Sequence, residues 1–334
     1  MTADGAGEVW LDGPEPWRQT RRLARALTAI ESGAEAAWAR IAFPRAGNAV
    51  TVGLTGPPGV GKSTLTATLA RELRTRGEPV AVLAFDPTSP LTGGAVLGDR
   101  VRMADLETDP GVFIRSMATR GASGGLARAA AAAADLLDAA GFPWILVETV
   151  GAGQAQTQIR RNSDLVVLVT APGLGDGVQA IKSGTMEIAD VFVVNKSDLP
   201  GAGAARRAIE DAVGPGRGAG GERPPVVSTV ARAGEGAAEL LDVVSDCFAG
   251  LKAGGHIAAR RSARYRRRVL DLYRHAVLRL AMDAVDSALD VAPESQQNRA
   301  PGNARPRAAD PYDLADRLVA GFVGGFRRDG GQRS

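Results

Sequence analysis

The glycine-rich stretch GLTGPPGVGKST at 53–64 limits the fold of this chain more than any other segment. It follows an apolar, β-branched run (VTVGL, 50–54) and precedes residues with helical periodicity. Four of its positions match the pattern G-x-x-x-x-G-K-[ST]: Gly56, Gly61, Lys62 and Ser63. In such a loop the backbone N–H groups surround phosphates, the lysine reaches the β and γ oxygens, and the hydroxyl binds Mg²⁺. The segment therefore predicts a phosphate-binding loop between a strand and a helix, and we expect Gly59, Val60 and Thr64 to contribute to the same nucleotide site.

Lysine is rare in this chain. Only four of its 40 Lys and Arg residues are lysines: Lys62, Lys182, Lys196 and Lys252. An ammonium and a guanidinium differ in size, hydration and donor geometry, so a lysine that persists against this bias is a candidate for a role that arginine cannot fill. Lys62 already occupies the phosphate position, and the same reasoning draws attention to Lys182 and Lys196.

Six short apolar runs alternate with helical stretches, at 50–54, 80–85, 144–148, 165–170, 190–195 and 225–228. Apolar runs without polar alternation are typical of strands that are covered on both faces. We therefore predict an α/β fold: a P-loop NTPase core with a mainly parallel, six-stranded sheet at 48–250, flanked by N- and C-terminal helical extensions. The N-terminal extension, 1–47, contains helical spacing at 16–43 with a break at Gly33.

The C-terminal part of the chain, 251–334, begins with a long amphipathic helix predicted at 258–287. Residues 291–310 are rich in proline, asparagine and glutamine, which predicts a flexible linker. A last helix is expected at 311–327.

Composition restricts the kinds of site. The chain has one cysteine, Cys247, and two histidines, His256 and His275, so an intramolecular disulfide and a Cys/His metal cage within one subunit are excluded. No stretch has the character of a signal peptide or a membrane span, which predicts a cytoplasmic protein without a membrane partner. For the basic cluster at 259–268 (ARRSARYRRR) we favour a solvated helix face over a nucleic-acid-binding surface, because Tyr265 is the only aromatic residue in it that could stack on a base.

The tetrapeptide NKSD, Asn195 to Asp198, ends a predicted strand, where open α/β sheets bind ligands. The Asp198 carboxylate can accept hydrogen bonds from guanine N1–H and its 2-amino group, whereas adenine would present a lone pair. The motif therefore predicts GTP and GDP as ligands, with the stem of Lys196 packed over the base. We expect the main chain at Val230 and Ala231, after the sixth strand, to read the guanine carbonyl.

The segment 86–100 (DPTSPLTGGAVLGDR) carries an aspartate near each end, Asp86 and Asp99. Asp86 ends the second predicted strand at the sheet edge that holds Lys62, and the following loop can cross the γ-phosphate. Because Mg²⁺ takes oxygen ligands, we expect Ser63 to bind it directly and the two aspartates to bind it directly or through water. A turn or helix cap is the alternative role for each aspartate.

The segment ETVGAG at 148–153 ends the predicted strand at 144–148. We expect Gly151 to donate its N–H to the γ-phosphate and Glu148 to hold a metal-bound water, with a salt-bridged strand end as the alternative for Glu148. Lys62, Asp99 and Glu148 are thus the predicted catalytic residues. A loop that touches the γ-phosphate loses its anchor on hydrolysis, which predicts a switch.

These motifs closely resemble those of the methylmalonyl-CoA mutase-associated GTPases, the MeaB/ArgK family. The resembling blocks lie at 21–32, 56–64, 86–103, 114–121, 147–154, 171–198 and, more weakly, 310–319. The resemblance implies a GTPase homodimer, dimerised through its C-terminal arm, that acts as chaperone to an adenosylcobalamin-dependent acyl-CoA mutase and gates cofactor loading. It also implies phosphate and Mg²⁺ roles for Lys62, Ser63, Asp86, Asp99 and Glu148.

The resemblance implies a mobile, partner-sensing element at 172–187, in which Gln179 and Lys182 are the candidates; a surface helix is the alternative. The chain departs from the family pattern at Arg160 and Arg161, and after the sixth predicted strand. Two other functions remain open. A nickel-delivery GTPase would need more Cys and His, and a protein kinase would need a catalytic loop such as H-R-D, which is absent from the sequence.

Overall fold

The structure is a computed structural model that describes residues 10–86, 103, 105–106, 108–118, 125–149, 159–173, 185–213 and 223–290. The chain divides into two compact units, Met1–Tyr265 and Arg266–Ser334. The first unit contains the sheet and the predicted nucleotide motifs.

The first unit is built on a sheet of seven strands, all parallel, in the order β3-β2-β4-β1-β5-β6-β7. The strands are β1 (Val50–Thr55), β2 (Val80–Asp86), β3 (Val112–Ala118), β4 (Trp144–Thr149), β5 (Leu165–Thr170), β6 (Val191–Asn195) and β7 (Val226–Thr229). The α/β fold with a parallel sheet is confirmed, but six strands were too few. The missed strand, β3, contains Arg115 and Ser116, which interrupt the kind of apolar run by which the other strands were predicted. Polar residues are tolerated here because β3 lies at the edge of the sheet.

Helices cover both faces of the sheet, as continuous apolar strands require. The described α-helices are α1 (Thr20–Ala29), α2 (Glu35–Ala42), α3 (Lys62–Thr75), α4 (Gly125–Ala139), α5 (Ala202–Val213), α6 (Ala237–Ala253) and α7 (His256–Asp290). On one face α3 and α6 pack over alternate residues of the central strands, such as Val52 and Val82. On the other, α1, α2 and α4 cover the residues in between, such as Ala81 and Ile145, while α5 packs over β6.

The two predicted N-terminal helices are confirmed as α1 and α2, and the break falls at Gly33. Its φ of 102° lies in the left-handed region, which glycine adopts without penalty. Leu23, Leu27 and Ile30 are fully buried against the sheet-side core, so this extension packs on the first unit and is part of its hydrophobic core.

A cluster of ion pairs lies at the amino ends of β5 and β6. Asp164 has no exposed surface and accepts hydrogen bonds from Arg261 at 3.0 and 2.7 Å and from Arg264 at 2.5 Å. Asp190 accepts from Arg160 and Arg260, each at 2.7 Å. The solvated face predicted for 259–268 is therefore wrong for three arginines of α7, because buried carboxylates next to the strands require positive partners. Arg160 belongs to the same cluster.

Burial by itself would raise the pKa of the Asp164 carboxyl, but hydrogen bonds from Arg261 and the charge of Arg264 outweigh burial and hold the pKa below its usual value of 3.8. Burial also lowers the pKa of the Arg160 guanidinium. Asp164 remains ionised at neutral pH, and it ties the start of α7 to β5.

The second unit is described only for the part of α7 that follows Tyr265. It exposes several large apolar side chains: Val269, Leu270, Leu272, Tyr273, Leu278, Leu280, Met282 and Val285. The long helix predicted at 258–287 is confirmed as α7, His256–Asp290. The linker and last helix predicted at 291–310 and 311–327 lie outside the described residues. None of the described helices is both long and apolar enough to cross a membrane.

Candidate nucleotide site

The predicted phosphate loop joins the end of β1 to the start of α3. Gly56 has a φ of 145°, and a Cβ at this position would lie 2.0 Å from the Val169 carbonyl oxygen of neighbouring β5. Gly61 has a φ of 92°, and its Cβ would lie 2.5 Å from the side-chain nitrogen of Asn195. Both positions therefore require glycine for backbone conformation and for close approach to a neighbour. The loop leaves the N-terminus of α3 pointing at the carboxyl edge of the sheet, a geometry that favours anions.

Lys62 is the first residue of α3, and its side chain folds back over the loop. Its Nζ donates hydrogen bonds to the carbonyl oxygens of Gly56 and Pro57, each at 2.9 Å. The residue is only 7% exposed. The ammonium thus lies inside the curve of the loop, where the phosphates of a nucleotide would bind.

Ser63 and Glu148 come from different elements and meet at the carboxyl edge of the sheet. The Ser63 hydroxyl donates a hydrogen bond to Glu148 Oε1 at 2.6 Å, and both residues are buried. Ser63 is in the first turn of α3, and Glu148 is near the end of β4, two strands from the sheet edge formed by β3. A hydroxyl and a carboxylate are ligands that suit Mg²⁺, so the pair fits the metal that was predicted here.

Among the described residues, no group of three or more His, Cys, Asp or Glu side chains is placed to hold a metal ion. Ser63 and Glu148 are two candidate metal-binding side chains that the described residues bring within hydrogen-bond distance of each other at the phosphate loop. Asp86 ends β2, at the same edge of the sheet, but its side chain is outside what the structure describes. Asp99, Gly151, Gln179 and Lys182 also lie outside the described residues, so their roles stay predictions.

Asn195, at the end of β6, connects three parts of the site. Its side-chain nitrogen donates to the Val60 carbonyl oxygen at 2.8 Å. Its side-chain oxygen accepts from the Thr229 hydroxyl at 3.1 Å and from the Ala231 N–H at 3.0 Å. The phosphate loop, the NKSD segment and the loop after β7 are thus held in one buried hydrogen-bond network.

Lys196 adopts a left-handed backbone conformation with a φ of 57°, which is unusual for a residue other than glycine. Its Nζ donates to the Gly59 carbonyl oxygen at 2.7 Å, so the stem crosses from NKSD to the phosphate loop. This course is compatible with the predicted packing of the stem over a base. Two of the four lysines, Lys62 and Lys196, therefore contact the same loop.

Asp198 lies in a cleft of about 290 Å³. The lining consists of Gly61, Thr64, Asn195, Lys196, Asp198, Leu199, Val230, Ala231 and Arg232. Arg232 donates from Nη2 to Asp198 Oδ2 at 2.5 Å. Sequence reasoning missed Arg232, although it stands beside Ala231 in a segment that was noted for its departure from the family pattern.

The loop after β7 lies against the other motifs through its main chain. The N–H of Val230 donates to Glu235 O at 3.0 Å, and that of Ala231 donates to Asn195. The Ala231 carbonyl accepts from the buried Thr68 hydroxyl at 2.7 Å. Both amides thus have partners within the protein, and their contact with a base carbonyl stays a prediction.

Comparison with known proteins agrees with this geometry. The family model described as "Methylmalonyl Co-A mutase-associated GTPase MeaB" matches residues 23–286. A putative GTPase of Pyrococcus abyssi is 44% identical over 310 residues, which cover 91% of this chain and 94% of that protein. The mitochondrial "methylmalonic aciduria type A homolog" of Mus musculus is 37% identical over 231 residues, 68% of this chain and 56% of that protein.

A solved structure titled "LAO/AO transport system kinase" shares the fold, with a TM-score of 0.67 over 97% of this chain and 99% of that one. The two are 23% identical, so this likeness concerns the fold alone. The family match extends over most of the first unit and into α7. The chain therefore belongs to the methylmalonyl-CoA mutase-associated GTPase family, MeaB, and it is a GTPase that binds GTP and GDP.

Proposed function

We propose that this GTPase is a chaperone of an adenosylcobalamin-dependent acyl-CoA mutase, and that GTP binding and hydrolysis gate cofactor loading and protection of the mutase. The observation that carries the proposal is the match of residues 23–286 to a family described as methylmalonyl-CoA mutase-associated. The name of the mouse relative, which refers to methylmalonic aciduria, supports the same class of partner.

The described residues support separate roles for different groups in binding the phosphates and the base of the nucleotide. Lys62, placed in the curve of the phosphate loop, would exchange its carbonyl partners for the β and γ oxygens and neutralise charge there. The N–H groups at the start of α3 would hold the same phosphates. Asp198 would accept from guanine N1–H and the 2-amino group, and Asn195 would keep the base and phosphate parts of the site in register.

Mg²⁺ is proposed to bind at Ser63 and Glu148, with Asp86 and Asp99 as further candidates. When bound, it would neutralise charge on the phosphate oxygens during transfer. Ser63 would offer the lone pairs of its hydroxyl oxygen to the ion. Glu148, which accepts a hydrogen bond from that hydroxyl at 2.6 Å, would orient the hydroxyl or a water beside it. Glu148 and Asp99 are the proposed residues for placing the attacking water, together with Gly151 as a donor to the γ-phosphate.

A homodimer is proposed to form through the C-terminal arm. The exposed apolar side chains of α7, among them Leu278 at 60% and Met282 at 63% exposed, support it because a solvent-facing apolar stripe on a helix is typical of a surface covered by another protein. Sedimentation would test this: Leu278→Glu should give a monomer, whereas Arg274→Glu on the same helix should leave the dimer intact. A wild-type monomer at micromolar concentration would contradict the proposal.

The partner is tested with a purified B12-dependent mutase from the same cell. We expect the two proteins to co-elute in at least one nucleotide state, and the intrinsic GTP hydrolysis rate to rise when the mutase is added. Lys62→Ala, in which GTP hydrolysis should be impaired, is the control that separates binding of the mutase from hydrolysis of GTP. Absence of any complex, with GTP, GDP or no nucleotide, would remove the chaperone role while leaving the GTPase assignment in place.

A further inference from the structure

Arg232 is highly exposed, yet its guanidinium contacts the carboxylate that is proposed to recognise the base. Its side chain is 78% exposed, that of Asp198 is 28% exposed, and Nη2 lies 2.5 Å from Oδ2. Arg232 belongs to the short 3-10 helix Ala231–Ala233 that follows β7. The pair therefore crosses the mouth of the cleft between the NKSD segment and the loop after β7.

The backbone on both sides of this pair is held in place. Ser197 N–H donates to Thr229 O at 3.0 Å, and the Ala231 main chain is held by Asn195 at 3.0 Å and by Thr68 at 2.7 Å. The two Cα positions are thus set by buried hydrogen bonds, while the guanidinium itself can leave toward solvent. The arrangement keeps an arginine within reach of Asp198 without enclosing it.

The chemistry of the two possible partners of Asp198 is alike. A guanidinium presents planar N–H donors to a carboxylate, and guanine presents N1–H and its 2-amino group in one plane. Guanine would need both oxygens of Asp198 for its two donors, and Arg232 Nη2 already donates to Oδ2, so the base and the guanidinium compete for that oxygen. Adenine offers no such pair of donors and has no means of replacing the guanidinium.

The geometry points to Arg232 as a residue that competes with the guanine base for Asp198 and so sets nucleotide affinity. This inference rests on the proposed role of Asp198 in base recognition. A ligand that uses Asp198 must displace Arg232. Its apparent affinity is therefore lowered by a factor equal to the reciprocal of the fraction of molecules in which the ion pair is open. For an exposed ion pair that factor is about two to five.

Titration of the full chain with GDP tests the inference. Arg232→Ala should bind GDP about two- to fivefold more tightly than the wild type, because the competitor has been removed. Arg71→Ala is the matched control: Arg71 forms another exposed ion pair, with Asp105 at 2.8 Å, so it removes the same charge and the same kind of pair. The control should leave GDP affinity unchanged or slightly lower it. Unchanged or weaker GDP binding by Arg232→Ala would overturn the inference.

The effect of the Asp198 carboxylate is tested separately by making Arg232→Ala in a protein that already carries Asp198→Asn. In Asp198→Asn, whose amide can donate to the 2-oxo group of xanthine, the substitution Arg232→Ala should leave XDP affinity unchanged, because no carboxylate remains for the arginine to hold. A gain of the same size in both backgrounds would show that Arg232 acts through overall charge, which contradicts the inference. If Asp198→Asn keeps full selectivity for GDP, the proposed role of Asp198 fails on its own.

Salt provides a readout that a purely structural role would not change. The advantage of Arg232→Ala over the wild type should shrink between 50 mM and 0.5 M NaCl, because screening opens the exposed pair in the wild type. Comparing the two proteins at each concentration cancels the effect of salt on the phosphates. An advantage that does not depend on salt would contradict an ion-pair competitor.

Discussion

The Ser63 hydroxyl donates to the Glu148 carboxylate across 2.6 Å, joining the first turn of α3 to the end of β4 at the carboxyl edge of the sheet. Glu148 is 1% exposed, so its charge is held in a site from which water is largely excluded. A buried carboxylate is costly without polar partners, and its position beside a phosphate loop suggests a cation as a further partner.

Glu148→Gln keeps the size of this side chain and removes its charge. We expect kcat for GTP to fall at least about 100-fold and the MgCl₂ concentration for half-maximal activity to rise about tenfold. The measurement is GTP hydrolysis as a function of MgCl₂. Glu72→Gln, on α3 but paired with Arg76 at the surface, is the control and should behave as wild type. Equal magnesium dependence in both variants would remove Glu148 from the metal site.

Lys62→Ala removes the ammonium from the curve of the phosphate loop. Because the γ-phosphate loses its cation, GTP affinity or turnover should fall at least about 100-fold. Filter binding and phosphate release measure the two quantities. Lys252→Ala, an exposed lysine of α6, is the control for loss of a positive charge. Hydrolysis at the wild-type rate in Lys62→Ala would refute the assignment.

Asp198→Asn changes the hydrogen-bonding pattern offered to the base. We expect the preference for GDP over XDP to decrease by about 100-fold or more, because an amide nitrogen repels guanine N1–H and suits a 2-oxo group. Competition between the two nucleotides measures this ratio directly. Undiminished preference for guanine would place base recognition elsewhere.

Gly56→Ala adds one methyl group where a Cβ would lie 2.0 Å from Val169 O. The loop must then move away from β5, and we expect nucleotide affinity to fall at least about 100-fold. Gly59→Ala is the matched control, since its φ is also positive, at 79°, but no atom lies within 4 Å of the added Cβ. The Gly59→Ala variant should have only the backbone strain of a left-handed alanine, about 1–2 kcal/mol. Similar losses in both variants would show that strain, not crowding, governs the loop.

Asp164→Asn removes the buried charge that holds Arg261 and Arg264. The free energy of unfolding should fall by roughly 3 kcal/mol, whereas Asp105→Asn, in an exposed pair with Arg71, should change it by about 0.5 kcal/mol or less. Urea unfolding at pH 7 measures both.

The same substitution predicts a pH dependence. The pKa of Asp164 lies below its usual 3.8 in the folded protein. Its contribution is therefore fully present well above pH 4 and is lost as the pH falls below that value, through the folded pKa. The difference in stability between wild type and Asp164→Asn should be constant from pH 5 to 8 and shrink in more acid solution. A difference that grows on acidification would contradict the assigned shift.

Prediction from the sequence succeeded where the chemistry is local. The phosphate loop, the NKSD segment and two of the rare lysines, Lys62 and Lys196, come together as glycine spacing and strand ends indicated. It failed for β3, whose Arg115 and Ser116 look unlike a buried strand but suit an edge. It also misread the arginines of α7, since the aspartates that hold them lie about 70 to 100 positions away along the chain.

The sequence by itself determined the parallel α/β core, the glycine loop and the candidate residues for binding phosphate and guanine, because backbone conformation and hydrogen-bond chemistry are encoded over a few consecutive residues. Only the tertiary structure decided that Ser63 meets Glu148, that Asn195 links three loops and that Arg232 reaches Asp198. These contacts join residues from different strands, and their distances depend on the order and register of the strands, which no local pattern specifies.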